Sequence, residues 1–499
     1  MISSSLSAFS LAAARRNRLT WPSVVLLSLA LAACAVGPDH QRPATTTPNR
    51  FARAEIAAGA ASKTTPAPDL AFWRDFGDPR LARLVEEALS FNNDLKVALA
   101  RYDQANALLR EARYDRFPTV TASAEMSHAR LSADQGPGAP GDQRDGESYS
   151  AGINAAWEID LFGRIHRQVE ANRADAAASA VDLQALQVAV AGEVTRTYIE
   201  LRGLQERLQV ARENADNQRK TLRLVDTRLG AGRGTEFDTA RARAQLETTQ
   251  ARVSALEAAV AVAIHRLAVL SGRPPDALIA ELETAAPLPA LPGKLDPGAP
   301  GELLRRRPDI AAAEHRLHAA TARIGVAIAD LFPRFTLGGL IGTQAANTGA
   351  LFERDSETHL IALGIDWSFL DIGRVRARIA AADADAEGEL ARYRQTVLLA
   401  LEDTENALVR YARARTEDAH LERAAADSAR AARLARVRFD AGAADLLEVL
   451  DAERTQLQAQ DAFADARTRS VAGAVGVYKA LAGGWPQRPP RREKLVATR

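Results

Sequence analysis

The stretch "EHRLH", Glu314 to His318, sets two histidines three residues apart. On a helix that spacing puts both imidazoles on one face, as a zinc site would need. No third ligand accompanies them. An internal repeat carries Ala100 and Asp103 at the matching positions, so the pair reads as a solvated helix face. "GAGRG", Gly230 to Gly234, has the glycines of a phosphate loop, but it follows a long helix and lacks the Lys-Ser/Thr ending. It reads as a turn between helices. No Ser/His/Asp set stands out. The residues point to no enzyme, no cofactor and no metal.

One residue has its chemistry decided by its place. Cys34 is the single cysteine of 499 residues and closes the run "LLSLALAAC". Arg15, Arg16 and Arg18 precede an apolar run that starts at Leu19 and is interrupted by Pro22. This is a secretory signal over residues 1–33, too short for a stable membrane-spanning helix. "LAAC" reads as a lipobox, with cleavage before Cys34 and lipid on its sulfur; the plainer alternative is a secretory signal that happens to hold a cysteine. Several acyl chains, at roughly 0.8 kcal/mol per methylene, make a firm anchor. Ala35, where Asp would favour the inner membrane, points to the outer membrane. With one thiol, the fold cannot rest on a disulfide. Lys+Arg 64 against Asp+Glu 63 gives no reason to expect nucleic acid. No other run of about 18 apolar residues occurs, so a mature chain that crosses a membrane must do so with strands.

The elements around these residues occur twice. "NDLKVALARYDQANALLREARYDRFP" ends at Pro118, and "RPDIAAAEHRLHAATARIGVAIADLFP" ends at Pro333, a shift of 215. "WEIDLFGR" from Trp157 returns as "WSFLDIGR" from Trp367, a shift of 210, and "RLGAGRGTEFDTARA" from Arg228 returns as "RFDAGAADLLEVLDA" from Arg438 at the same shift. Each copy reads helix, Phe-Pro, variable piece, Trp to Gly-Arg, very long helix, glycine turn, helix.

The variable pieces alternate with period two. Val120, Ala122, Ala124 and Met126 form one apolar row, and Tyr149, Ala151, Ile153, Ala155 and Trp157 a second. The other copy supplies Phe335, Leu337, Gly339 and Ile341, then His359, Ile361, Leu363, Ile365, Trp367 and Phe369. Tilted strands of roughly 9–11 residues cross a bilayer, with the apolar face toward lipid and the polar face toward a lumen; a small soluble hairpin would alternate in the same way. Four strands cannot close a barrel and an open edge is forbidden in lipid, so several chains must share it. The helices instead repeat every seven residues. Val194, Leu201, Leu208, Ala215, Leu222 and Leu229 form one series, and Leu246, Val253, Val260 and Leu267 another, which predicts packed, left-handed supercoiled helices. At the far turns, Gly232 and Gly442 supply the positive φ of a tight reversal. Thr235 with Asp238, and Asp445 with Glu448, stand ready to cap the next helix.

These residues resemble TolC-like outer membrane factors, in the lipoprotein branch that serves tripartite efflux pumps. The resemblance rests on "CAVGPDHQRP", "FWRDFGDPRLARLVEEAL", "RRRPDIAAAEHRLHAATARIGVAIADLFP" and both glycine turns, and runs from Cys34 to about Gly484. It implies a mixed, mainly α fold: a homotrimer whose chains each give four transmembrane strands to a shared twelve-stranded barrel, with long coiled-coil periplasmic helices and an equatorial domain. The expected organisation is signal peptide 1–33, lipidated N-terminal segment and equatorial start 34–92, first repeat 93–272, equatorial linker 273–307, second repeat 308–482 and tail 483–499. It further implies an outer membrane duct, lipid-anchored and reaching into the periplasm. The expected partners are a periplasmic adaptor and an inner-membrane RND-type pump. Alternatives are a duct for protein secretion and a pore-less coiled-coil strut; a strut needs no alternating strands. Trp157, Gly163, Arg164, Trp367, Gly373 and Arg374 would mark the barrel rim and the strand-to-helix junction. Gly232, Arg233, Thr235, Gly442, Ala443 and Asp445 would dock the adaptor. Leu447, Glu448, Asp451 and Arg454, with Asp238 as counterpart of Glu448, would form a periplasmic gate. Spacing of three puts Glu448, Asp451 and Arg454 on one helix face, where Arg454 can pair with Asp451.

Overall fold

The computed structural model describes residues 35–45, 48–53, 71–132, 134–135, 140, 144–291, 299–481 and 490–492. The signal segment and Cys34 lie outside the described residues. The elements are α1 (Pro79–Phe91), α2 (Asn93–Tyr114), β1 (Thr119–Arg130), β2 (Asp145–Ile159), α3 (Arg164–Gly230), α4 (Glu236–Leu270), α5 (Ile279–Leu282), α6 (Pro300–Arg306), α7 (Pro308–Ala329), β3 (Arg334–Ala345), β4 (Glu357–Asp366), α8 (Ile372–Asp440) and α9 (Leu446–Ala480).

Capping chemistry sets several of these ends. Asp78 accepts from the amides of Arg80 and Leu81 and so opens α1, with Pro79 at the first helical position where its missing N–H costs nothing. α3 and α8 run 67 and 69 residues without a proline; at 1.5 Å per residue each is about 100 Å long. The return helices α4 and α9 have 35 residues each. α4 stops at "SGRPP", where Gly272 has φ +72 and a Cβ would lie 2.4 Å from the Phe91 carbonyl oxygen.

The described residues fall into two compact units. One holds those of 1–40, 108–172 and 319–386, and the other those of 41–107, 173–318 and 387–499. Each takes segments from both sequence repeats.

The first unit contains a four-stranded antiparallel sheet in the order β1-β2-β3-β4. The register places the expected apolar rows side by side. Met126 faces Tyr149, Ala122 faces Ile153, Ile153 faces Ile341, Trp157 faces Leu337, and Leu337 faces Leu363. β4 ends at Asp366, three residues short of the alternating row, which ran to Phe369. Trp367 lies past it and Phe369 sits in a 3₁₀ turn, Phe369–Asp371. The chain tightens there because α8 already begins at Ile372.

The second unit is built on the seven-residue series. Val194, Leu201, Leu208 and Ala215 of α3 and Leu246, Val260 and Leu267 of α4 are buried, and so is most of the apolar face of α1. Phe72 stacks on Tyr478 at 5.1 Å, whose hydroxyl donates to Asp75 at 2.7 Å. Arg202 is fully buried and bonds to Gln205, the Thr284 carbonyl and the Tyr198 hydroxyl, which in turn donates to Asp78 at 2.7 Å. Burial and the neighbouring Asp78 push the Tyr198 phenol up to about 12.

Candidate functional site

The wall comes first. One face of the sheet is apolar and open: Ile361 is 82% exposed, Ile341 75% and Met126 68%. A soluble sheet would cover such a face, because each large aliphatic side chain gains about 1.5–3 kcal/mol on leaving water. The other face carries Thr121, Ser123, Ser150, Asn154, Thr336 and Gln344, interrupted by the Leu340–Leu360 pair. Asn154 donates to Ser123 at 3.0 Å and Gln344 to Ser148 at 3.3 Å across that face. Gly152 and Gly342 pair within it, and a Cβ on Gly342 would lie 2.5 Å from the Ala151 carbonyl oxygen. Bare backbone at a cross-strand pair lets a sheet bend tightly. Strands β1 and β4 leave both edges of the described sheet unpaired.

The doubled Trp-to-Gly-Arg stretch has a geometric role. The Trp157 indole donates to the Arg116 carbonyl at 3.0 Å, and the Trp367 indole donates to the Leu331 carbonyl at 3.0 Å. Arg116 and Leu331 are themselves repeat counterparts. Each tryptophan ties the end of a descending strand to the turn that starts an ascending one. The Gly-Arg pairs differ. Gly163 precedes α3 with φ +76, and Asp160 caps the Ile165 and His166 amides at 3.0 and 2.8 Å. Arg164 holds Glu158 in a two-bonded pair at 2.8 and 2.7 Å. In the second copy Leu370 stands where Asp160 does and cannot cap. There the helix starts from the 3₁₀ turn, so Gly373 and Arg374 lie inside α8 rather than at its entry, and Arg374 pairs with Asp371 at 2.9 Å.

A second reason for the difference follows Cys34 directly. Residues 35–39 are seated against the first junction. The Val36 amide donates to the Phe162 carbonyl at 3.1 Å, and a Cβ on Gly163 would lie 2.6 Å from the Ala35 Cα. Gly37, at φ +97, meets Gly325 of α7 so closely that its Cβ would be 2.4 Å from the Gly325 Cα. Arg167, nearly buried, donates to the Val36 and Gly37 carbonyls and pairs with Asp39 at 2.8 Å. Neither Arg167 nor Gly325 was singled out from sequence. Gly37, in the quoted "CAVGPDHQRP", was the available signal.

The two tips follow the repeat closely. Gly232 and Gly442 have φ +68 and +76. The Arg233 amide donates to the Arg228 carbonyl and the Ala443 amide to the Arg438 carbonyl, both at 2.8 Å, closing α3 and α8 alike. Thr235 and Asp238 form a reciprocal capping box at the start of α4. Asp445 caps α9 by accepting from the Glu448 amide at 2.9 Å. Here the copies part: Asp238 is occupied as a cap, whereas the Glu448 carboxylate pairs with Arg438 at 2.5 Å. Arg454 pairs with Asp451, as the spacing predicted. Leu447 is 47% exposed beside them.

A buried link near this tip was missed. Glu453 of α9, with a side chain 7% exposed, accepts from Thr221 of α3 at 3.1 Å and from Arg436 of α8 at 2.5 Å. Its Oε2 has no hydrogen-bond partner, and burial pushes its carboxyl above the ordinary glutamate value despite the opposing Arg436 charge. A carboxylate at a core position of the helix, between Leu450 and Leu457, was the overlooked sign. His315 and His318 lie on α7, where burial lowers the His315 imidazole pKa, and no cluster with metal-ligand geometry occurs among the described residues.

Against known proteins, the sequence model of the family described as "Outer membrane efflux protein" matches residues 84–273 and 299–483. The pyoverdine export outer membrane protein OpmQ of Pseudomonas putida is 34% identical over 472 residues, covering 93% of this chain and 98% of the relative. The outer membrane protein OprJ of Pseudomonas aeruginosa is 32% identical over 467 residues, covering 93% and 96%. The solved outer-membrane channel OprN superposes with a TM-score of 0.80 at 42% identity, covering 91% of this chain and 100% of that one. On these grounds the chain belongs to the outer membrane efflux protein family, and its fold is that of the TolC-like outer membrane channels.

Proposed function

We propose that three copies of this chain form the duct of a tripartite efflux pump, anchored by lipid at Cys34. It passes small molecules outward from an inner-membrane RND-type transporter through a periplasmic adaptor. The observation that carries this reading is the four-stranded sheet, apolar on one face, polar on the other and unpaired at both edges. Three such sheets give twelve strands with no free edge, lipid outside and water within. A pore-less strut would have no use for it. In this reading each sequence repeat, 93–272 and 308–482, supplies two strands and one helical hairpin. Trp157 and Trp367 sit at the rim, where amphipathic rings suit the lipid–water interface. The tips at Gly232, Arg233 and Thr235, and at Gly442, Ala443 and Asp445, dock the adaptor. Glu448, Asp451, Arg454 and Leu447 line the constriction, with Asp238 contributing its cap. The names of OpmQ, for pyoverdine export, and of the toluene efflux pump outer membrane protein TtgI of Pseudomonas putida, 30% identical over 463 residues, support small-molecule cargo.

The experiment is single-channel recording of purified protein in a planar bilayer. Stepwise, cation-selective conductance is expected, and its absence would remove the duct reading. Asp451→Ala with Arg454→Ala should raise conductance and lower cation selectivity. If both stay at wild-type values, the gate is elsewhere.

A further inference from the structure

A second charged place lies on the α8–α9 seam, well away from the tip, in a cavity of about 700 Å³, a size that suits a drug-like molecule. Five cations line it: Arg307, Arg410, Arg413, Arg469 and Lys479. Only two carboxylates do, and both are already held. Asp403 pairs with Arg307 at 3.4 Å and Glu417 with Arg469 at 2.8 Å. Among the described residues no carboxylate pairs with Arg410, Arg413 or Lys479. Three uncompensated cations around one cavity raise the local potential and favour an anion. Two guanidinium groups among them can each grip a carboxylate or phosphate through two N–H donors.

The floor is as telling as the rim. It is made by Gly473, Gly476 and the small side chains of Ala472 and Ala480. Gly473 is explained within the chain, since a Cβ there would meet the Tyr411 Cα at 3.3 Å. Gly476 is not: nothing lies within 4 Å of where its Cβ would be. A glycine inside a helix costs about 0.5–1 kcal/mol relative to alanine. Its effect here is to widen the cavity.

The seam's phase says which way the cavity faces. Near the tip, Ala431 and Arg438 of α8 oppose Glu448 and Thr455 of α9 across an open groove. Steps of seven from those positions reach Asp403, Arg410 and Glu417 on α8, and Arg469 and Gly476 on α9. A seven-residue step keeps one face of supercoiled helices, so the cavity shares the face that bears Glu448 and Asp451.

We propose that this cavity is a binding site for small organic anions on the inner wall of the duct. An apolar body lies over Gly473 and Gly476, and a carboxylate, phosphate or sulfonate group lies between Arg410, Arg413 and Lys479. The position on the inner wall rests on the gate reading given above; the anion site itself does not. The acidic constriction and this cationic station then lie in series along one face. An anionic solute is held above the gate instead of being repelled along the whole passage.

The test uses carboxyfluorescein as anionic probe and rhodamine 6G as cationic control, with full-length purified protein in neutral detergent. Fluorescence anisotropy should show saturable carboxyfluorescein binding that weakens as ionic strength rises and that rhodamine 6G does not displace. Arg410→Ala with Arg413→Ala and Lys479→Ala should weaken it by about tenfold or more, whereas Arg410→Lys with Arg413→Lys, which keeps the charge but loses the two-donor grip, should weaken it less than the triple variant does. Gel filtration and circular dichroism check that both variants keep the parent's assembly and helicity. No saturable binding, or equal binding by the triple variant, overturns the site. In a planar bilayer the probe should also reduce single-channel current in the parent and not in the triple variant. Binding without any reduction in current upholds the anion site and overturns the luminal orientation taken from the gate.

Discussion

Arg436→Ala tests the buried link that joins α8 to α9 and α3 near the tip. The parent Arg436 bonds Glu453 at 2.5 Å and Thr221 at 2.6 Å, joining α8 to α9 and α3. Charge-assisted bonds contribute about 1.5–3 kcal/mol, and stranding a buried charge costs about 3–5 kcal/mol. The Arg436 side chain is 36% exposed, so solvent already screens part of its pairing, and about 2 kcal/mol is the sounder figure. That shifts a local opening equilibrium by about 30-fold. Hydrogen exchange followed by mass spectrometry at pH 7 should therefore show amides in the last turns of α8 and first turns of α9 exchanging about 30-fold faster, with those of α1 unchanged. The pH dependence has a definite sign. The folded-state pKa of Glu453 is raised, so its protonated form favours folding. The stability tied to that protonation is complete below the ordinary value of 4.5 and is lost as pH rises through the raised one. Removing Arg436 raises it further, so the variant's excess opening should shrink as pH falls toward 4.5. Glu453→Gln, which needs no counter-charge, should open less than Arg436→Ala at pH 7. Equal exchange in parent and Arg436→Ala, or an excess that does not change with pH, would refute this account of the link.

Two further outcomes follow from the junctions. Trp157→Phe and Trp367→Phe each remove one indole–carbonyl bond of the same length, so each should lower stability by about 0.5–1.5 kcal/mol and by similar amounts, read as the shift in thermal unfolding in detergent; a large difference would deny their equivalence. Gly325→Val should unseat residues 35–39, because its Cβ would fall 2.9 Å from the Val36 carbonyl oxygen, and should speed proteolysis near residue 40 while leaving the helices intact; unchanged digestion would show that the segment is held by other contacts.

Much of this architecture was legible because it repeats. Two offsets, 215 and 210, locate the helices, strands and turns, and period two separates the strand rows from the seven-residue helix series. Gly232 and Gly442 were readable from residue type, since a reversal between long helices needs positive φ. The repeat also misled. It predicted like junctions at Gly163 and Gly373. The first holds a capping aspartate and the seated residues 35–39; the second has Leu370 and nothing within 4 Å of a Cβ on its glycine.

Local physics acts over a few residues, so period, turn chemistry and capping are written in the chain itself. Long-range neighbours are not. Thr221, Arg436 and Glu453 converge from three helices, and their positions along the chain differ by up to 232 residues. Arg167 reaches back 128 residues to Asp39. The cations of the α8–α9 cavity look like solvated charges when read singly, and become a site only when Arg410 and Lys479 are brought to one seam. Tertiary packing decides such matters because burial and pairing depend on what lies across a gap, and a sequence pattern records only which face a residue is on.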